Sequence, residues 1–140
     1  MKIYNVEQLK CMFRQYNADY FGGILPMPDF EVIHSFHYFG FFHTNIDNGT
    51  TFNPLIQISD SWEYEEYQAR DIMVHEMIHY YLAYTGKDLR VTHGAEFHRM
   101  ASELNSKYFL RVTEIINVSE YKKKKGTSKI KYILSKLFCF

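Results

Sequence analysis

The stretch DSWEYEEYQARDIMVHEMIHYYLAYTG, residues 60–86, decides how the rest of the chain is read. Asp60 followed three residues later by Glu63 is a helix-start signal, and Gly86 stands just beyond a helix that runs to about Tyr84. Within it, Tyr67, Val74, Ile78 and Tyr81 form one apolar stripe, while Met73, Met77, Tyr80 and Tyr84 form a second. A helix apolar on two sides is buried on two sides, so the pattern predicts a central helix. Polar residues in such a helix need a reason, because an unpartnered polar group in a core is costly.

Those polar residues are His75, Glu76 and His79, in the order H-E-x-x-H. Residues four apart on a helix lie one turn from each other on one face, so both imidazoles can reach a single metal ion. Glu76 stands next to that face, close enough to touch a metal-bound water without taking a ligand position. Zinc lowers the pKa of such a water towards 7, and a carboxylate can then take its proton. Seven His and ten Glu in 140 residues give about 0.02 such matches by chance, so coincidence is a poor account of the motif.

A catalytic zinc needs a third protein ligand and one open position. In the extended pattern H-E-x-x-H-x-x-G-x-x-H the last two motif positions would fall on Leu82 and Thr85, which excludes it. The candidates further on are Asp88, His93, Glu96 and His98. His93 precedes Gly94, where the chain can turn back tightly into a third helix. Glu96 would complete a His₂Glu set. His98 shares a helix flank with Ser102 and Asn105 and reads first as a polar-face histidine.

Outward from the motif, Phe97, Ala101, Leu104 and Tyr108 give the third helix its core stripe, with Glu96, Arg99 and Glu103 on a solvated flank. Upstream, Asn5 with Gln8 reads as a capping box, Leu9, Phe13, Tyr16 and Tyr20 recur at helical spacing, and Gly22-Gly23 with Pro26 ends that helix. Between the helices, Phe30, Val32, the aromatic run Phe36 to Phe42, and Leu55 to Ile58 read as strands, with Asp47-Asn48-Gly49 as a turn. The prediction is a small meander. His34, His37 and His43 in this region could line a cleft, though such positions are ordinarily partly exposed strand residues.

Composition agrees with a globular chain, at 46% hydrophobic and 18% aromatic. Neutral net charge hides a division. Residues 1–120 carry nine Lys+Arg against sixteen Asp+Glu, a net of −7, whereas residues 121–140 carry seven Lys and no acid, a net of +7. Cys11 and Cys139 form no C-x-x-C pair and no disulfide framework, which suits a reducing compartment. With no signal-peptide run and no apolar stretch of about 20 residues, the expectation is a cytoplasmic protein with no membrane partner.

The segments HEMIHYYL at 75–82 and HGAEFHRM at 93–100 resemble the SprT-like (Spartan-type) zinc metalloproteases. YNADYFGGILP at 16–26, GFF at 40–42 and IQIS at 56–59 resemble that family's first helix and strands, and the likeness covers about residues 4–112. It implies that His75, His79 and His93 hold one Zn²⁺ per chain, with Glu76 as the catalytic acid/base. It also implies an α+β fold, a compact zincin-like peptidase domain. That domain has an N-terminal helix, a small β-sheet, the HExxH helix and a following ligand-bearing helix. Family members often carry a C-terminal zinc ribbon with paired cysteines, and with Cys139 alone the expectation is a domain without one.

The expected organisation is a peptidase domain at 1–118 and a basic C-terminal tail at 119–140. The expected activity is zinc-dependent hydrolysis of peptide bonds in protein substrates, for some members of the family substrates attached to DNA. The tail's lysines make a weak DNA contact the sharper expectation and a solvated end the plainer one. The alternative function is a catalytically idle zinc-binding or nucleic-acid-binding module. No spacing singles out one tyrosine as the oxyanion donor, and nothing in the sequence sets the oligomeric state.

Overall fold

The computed structural model describes residues 5–87, 91–116 and 118–123. Helix α1 runs Val6–Tyr20. Its capping box forms as expected: the Gln8 N–H donates to Asn5 Oδ1 at 2.9 Å and the Asn5 N–H donates to Gln8 Oε1 at 3.1 Å. Leu9, Met12, Phe13 and Tyr16 are buried on its inner face. The chain leaves through Gly22 and Gly23, both at positive φ, and the Asn17 side chain clasps the backbone N–H and carbonyl of Leu25.

Strands β1 (Asp29–Ile33), β2 (Gly40–Asp47) and β3 (Thr50–Ser59) form a sheet in the order β1-β3-β2. β1 runs parallel to β3, with Phe30 opposite Ile56, and β2 runs antiparallel to β3, with Phe42 also opposite Ile56. The sheet is therefore not the expected meander. Asn48 and Gly49, at φ of 50° and 76°, make the tight turn that obliges β2 and β3 to pair. That leaves β1 the other edge of β3. Residues Phe36–Phe39 are loop rather than strand, because Ser35 Oγ accepts the backbone N–H of His37 and of Tyr38 and folds the chain there.

Helix α2 spans Glu66–Tyr84, starting later than the Asp60/Glu63 signal suggested. Residues 60–63 are committed elsewhere. The Asp60 N–H donates to the Ile33 carbonyl, and Trp62–Glu63 form a short strand, β4. The Glu65 N–H is satisfied by Gln68 Oε1 at 2.9 Å at the helix start instead. Ile72, Met73, Val74, Met77 and Ile78 are fully buried, as a central helix requires. Each such side chain stabilises the fold by about 1.5–3 kcal/mol.

Helix α3 spans Ala95–Tyr108 and buries Phe97, Ala101 and Leu104, while Arg99 bridges Glu96 and Glu103 on the exposed flank. Past its end, the Asn105 side chain makes two 2.8 Å bonds to the backbone of Val112, bringing the chain back beside α2. A 3-10 turn at Val118–Glu120 follows, and β5 (Lys122–Lys123) pairs with β4. Lys122 Nζ lies 3.3 Å from Glu63, so the start of the basic segment is tied to the body. The other five lysines of that segment, and the DNA contact expected of them, lie outside the described residues, as does Asp88. Cys139, and with it the expectation of no disulfide framework, lies outside the described residues. The architecture is α+β, and no helix among the described residues is long and apolar enough to cross a membrane.

Candidate metal centre

His75 and His79 project one turn apart from α2, and His93 comes from the segment just before α3. Their Nε2 atoms form a triangle in which each pair is 3.2 Å apart. A tetrahedral zinc with nitrogens at about 2.0–2.1 Å separates them by about 3.3–3.4 Å, so the triangle has the size such an ion needs. These are the residues that could hold a metal ion among those described.

The second nitrogen of each ring shows how the triangle is held. His75 Nδ1–H donates to the Thr113 carbonyl at 2.8 Å, which leaves Nε2 as a bare lone pair facing the other two. His93 Nδ1 lies 4.0 Å from Glu114 Oε1. The other Glu114 oxygen takes His98 Nε2 at 3.1 Å, so His98 belongs to Glu114 and not to the triangle. Glu96 is engaged with Arg99 at 2.6 Å. Beneath all three imidazoles lies the buried Phe97 ring, with centroid distances of 4.8, 4.9 and 4.8 Å. Gly94 lets the loop close tightly over this floor, since a Cβ there would stand 3.3 Å from the Val91 carbonyl.

Burial sets the charge states. Desolvation lowers His75 to about 4 and His79 to about 3, and it lowers His93 against an opposing pull from Glu114. At neutral pH the three rings are therefore uncharged, the form in which an imidazole can offer a nitrogen to a metal ion. Glu76 is buried beside them, and desolvation raises its carboxyl to about 8. A cation in the triangle would favour its ionised form instead.

Glu76 points towards β2, where Gly40 leaves it room. A Cβ on Gly40 would stand 3.2 Å from both Cγ and Oε2 of Glu76 and 3.1 Å from the Gln57 carbonyl. A cleft of about 650 Å³ opens there, lined by His75, Glu76, His79 and His93 on one side and by every residue from Gly40 to Ile46 on the other. Successive strand residues point to opposite faces, so an unbroken run of seven presents the edge of the strand. β2 has that edge unpaired among the described residues, since its other edge is taken by β3. A second cavity of about 250 Å³, lined by His37, Phe39, Ile72, Glu114, Ile116 and Val118, meets the first at Tyr38, Gly40, His75 and Glu76.

The geometry thus brings together His75, His79, His93 and Glu76, and leaves Glu96 and His98 outside. His43 lines the larger cavity, stacked on Phe41 and bonded to Gln57, and His37 lines the smaller one. His34 pairs with buried Asp60, away from the triangle. Sequence reasoning passed over Glu114, Thr113 and Gly40. Thr113 acts through its carbonyl, which any residue offers, and Glu114 sits in an irregular segment with no periodicity. Only the glycine in GFF carried a signal, as a strand position that a neighbour approaches closely.

No curated protein matches the chain. The family model described as the SprT-like family matches residues 9–122, a span holding all three triangle histidines, Glu76, and the strands and helices around them except the first turn of α1 and the last residue of β5. The chain belongs to the SprT-like family.

Proposed function

We propose that this protein is a zinc-dependent endopeptidase acting on protein substrates. The observation that carries the reading is the triangle of Nε2 atoms with a buried carboxylate beside it, both opening into a groove bounded by a strand edge. His75, His79 and His93 would hold the ion, a three-nitrogen set that leaves one position open. When bound, zinc supplies a Lewis acid that polarises a carbonyl and brings the pKa of water towards neutrality.

The chain's own residues supply the rest. Glu76 accepts a proton from the attacking water and returns it to the leaving amine. Its burial keeps its basicity from being damped by bulk solvent. The β2 edge offers main-chain N–H and C=O groups in a row, which suits an extended peptide that adds as a further strand across the groove. Phe97 and the Thr113 carbonyl fix the imidazoles so that little reorganisation accompanies binding. Membership in the SprT-like family supports a metallopeptidase.

The idle-module alternative is disfavoured by Glu76. Burying a carboxyl group is costly, as the rise of Glu76 to about 8 records, and a site needed only for structure has no use for it. The test is Glu76→Gln, which keeps the shape and removes the basicity. One zinc per chain should remain while cleavage of an unfolded protein falls at least about 10³-fold. A variant that stays active, or that loses its metal, would contradict the assignment.

A further inference from the structure

Peptide hydrolysis develops negative charge on the carbonyl oxygen, and a hydrogen-bond donor aimed there is worth a large factor in rate. The two cavities of the groove meet at four residues, Tyr38, Gly40, His75 and Glu76. A scissile bond lying across that junction passes all four. Gly40 has no side chain, His75 turns its free nitrogen into the triangle, and Glu76 accepts a proton. With Glu76 committed to the proton transfer, the Tyr38 phenol is the side-chain O–H of the four that the proposed chemistry leaves over. Resting on the peptidase reading above, we propose that the Tyr38 phenol is the oxyanion donor of this site.

The loop that carries Tyr38 is built to hold it. Ser59 Oγ donates to the Ser35 carbonyl at 2.6 Å and accepts the Ser35 N–H at 3.2 Å, and Trp62 Nε1 donates to the same carbonyl at 3.2 Å. Ser35 Oγ in turn accepts the N–H of Tyr38 at 3.3 Å. The Tyr38 backbone is thereby fixed to the end of the sheet while 54% of the residue stays exposed, and its ring rests edge-on against Phe41 at 5.7 Å. The anchored main chain and the contact with Phe41 limit how far the phenol can stray from the junction.

The step balances without any further reactant. As water oxygen bonds to the carbonyl carbon, the π pair moves onto the carbonyl oxygen, and the phenol donates a hydrogen bond to it while keeping its own proton. The pair returns when the C–N bond breaks, and the amine leaves with the proton that Glu76 delivers. The phenol is thus needed for the transition state and contributes little to ground-state binding.

Tyr38→Phe removes the O–H and keeps the ring. With fluorescein-labelled casein as substrate and the zinc-loaded full chain, kcat should fall about 10²-fold with KM and metal content unchanged. A phosphinic peptide, whose tetrahedral phosphorus carries the oxyanion geometry, should lose binding by a similar factor. Unchanged kcat in Tyr38→Phe, or a loss confined to KM, would overturn the assignment of Tyr38. Failure of the parent protein to cleave casein while holding zinc would instead overturn the peptidase reading, so the two outcomes are distinct.

Discussion

Replacing Gly40 with Ala would set a methyl group against the carboxylate of Glu76. The new Cβ would lie 3.1 Å from the Gln57 carbonyl oxygen and 3.2 Å from both Cγ and Oε2 of Glu76. Comfortable contact is about 3.5–4.0 Å, so each of these must open by a few tenths of an ångström. The Gln57 oxygen belongs to the β2–β3 ladder and yields only if the strand pair yields. Glu76 has rotatable torsions and yields first. Overpacking of this kind costs about 1–3 kcal/mol, which should appear as a lower Tm. The larger effect is on chemistry, because a misplacement of about 1 Å in a catalytic group costs about 10²-fold. A shift of part of that distance should lower kcat by about 10-fold or more. The three imidazoles are untouched, so metal content should stay at one per chain. The assay is labelled-casein hydrolysis beside metal analysis and a thermal melt. Gly40→Ala with full kcat would refute the contact between β2 and a working Glu76, and loss of the metal would show that the glycine serves the triangle instead.

Three further outcomes follow from the same geometry. His93→Ala should weaken zinc binding by at least about 10²-fold, while His98→Ala, which loses only a partly exposed contact to Glu114, should change it by less than about 10-fold; competition with a chromogenic chelator separates them, and the reverse order would mean the wrong ligand. Phe97→Ala should destabilise the fold by about 3–5 kcal/mol and lower metal affinity as well, whereas Phe97→Leu should keep most of both; unchanged affinity in the Ala variant at a temperature where it is folded would remove the floor from the argument. Metal-free protein should show a Tm maximum near pH 6.5. His75 near 4 and His79 near 3 lie below their ordinary 6.5, so their contribution is present above about pH 6.5 and is lost as pH falls towards those values. Glu76 near 8 lies above its ordinary 4.5, so its contribution is complete below about pH 4.5 and is lost as pH rises through 8. A Tm that keeps rising from pH 6.5 to 8 would contradict the Glu76 shift.

The elements set by local chemistry were legible in the sequence. The Asn5–Gln8 box, the middle of the α2 stripes and the flank of α3 each express a side-chain pattern within one element and lie where that pattern placed them, whereas Tyr67 and Tyr84, at the ends of the α2 stripes, are exposed. The strand order was not legible, because the parallel β1–β3 pair depends on which edge remains after the Asn48-Gly49 hairpin closes. The same reason hid the loop at 36–39. Its aromatic residues look like strand until Ser35 and Ser59 are seen to bond. In the site, H-E-x-x-H announced two histidines and the carboxylate through helical spacing alone. His93 was reached by resemblance and the turn at Gly94, and it does meet the other two rings. What faces those rings from behind is long-range packing, which leaves no trace in a local pattern.

The bond from His75 to the Thr113 carbonyl also bears on the order in which the protein is made. The two partners are 38 residues apart, and His93 follows His79 by 14. A chain emerging from the ribosome at about 5–20 residues per second therefore shows two imidazoles seconds before the carbonyl that fixes the proton of the first. Until Asn105 has clasped Val112 and brought Thr113 into place, His75 is free to carry its proton on the wrong nitrogen. On the proposed reading of the triangle, tight capture of an ion would wait for the docking of Thr113, and a chain clipped before that residue should bind zinc poorly.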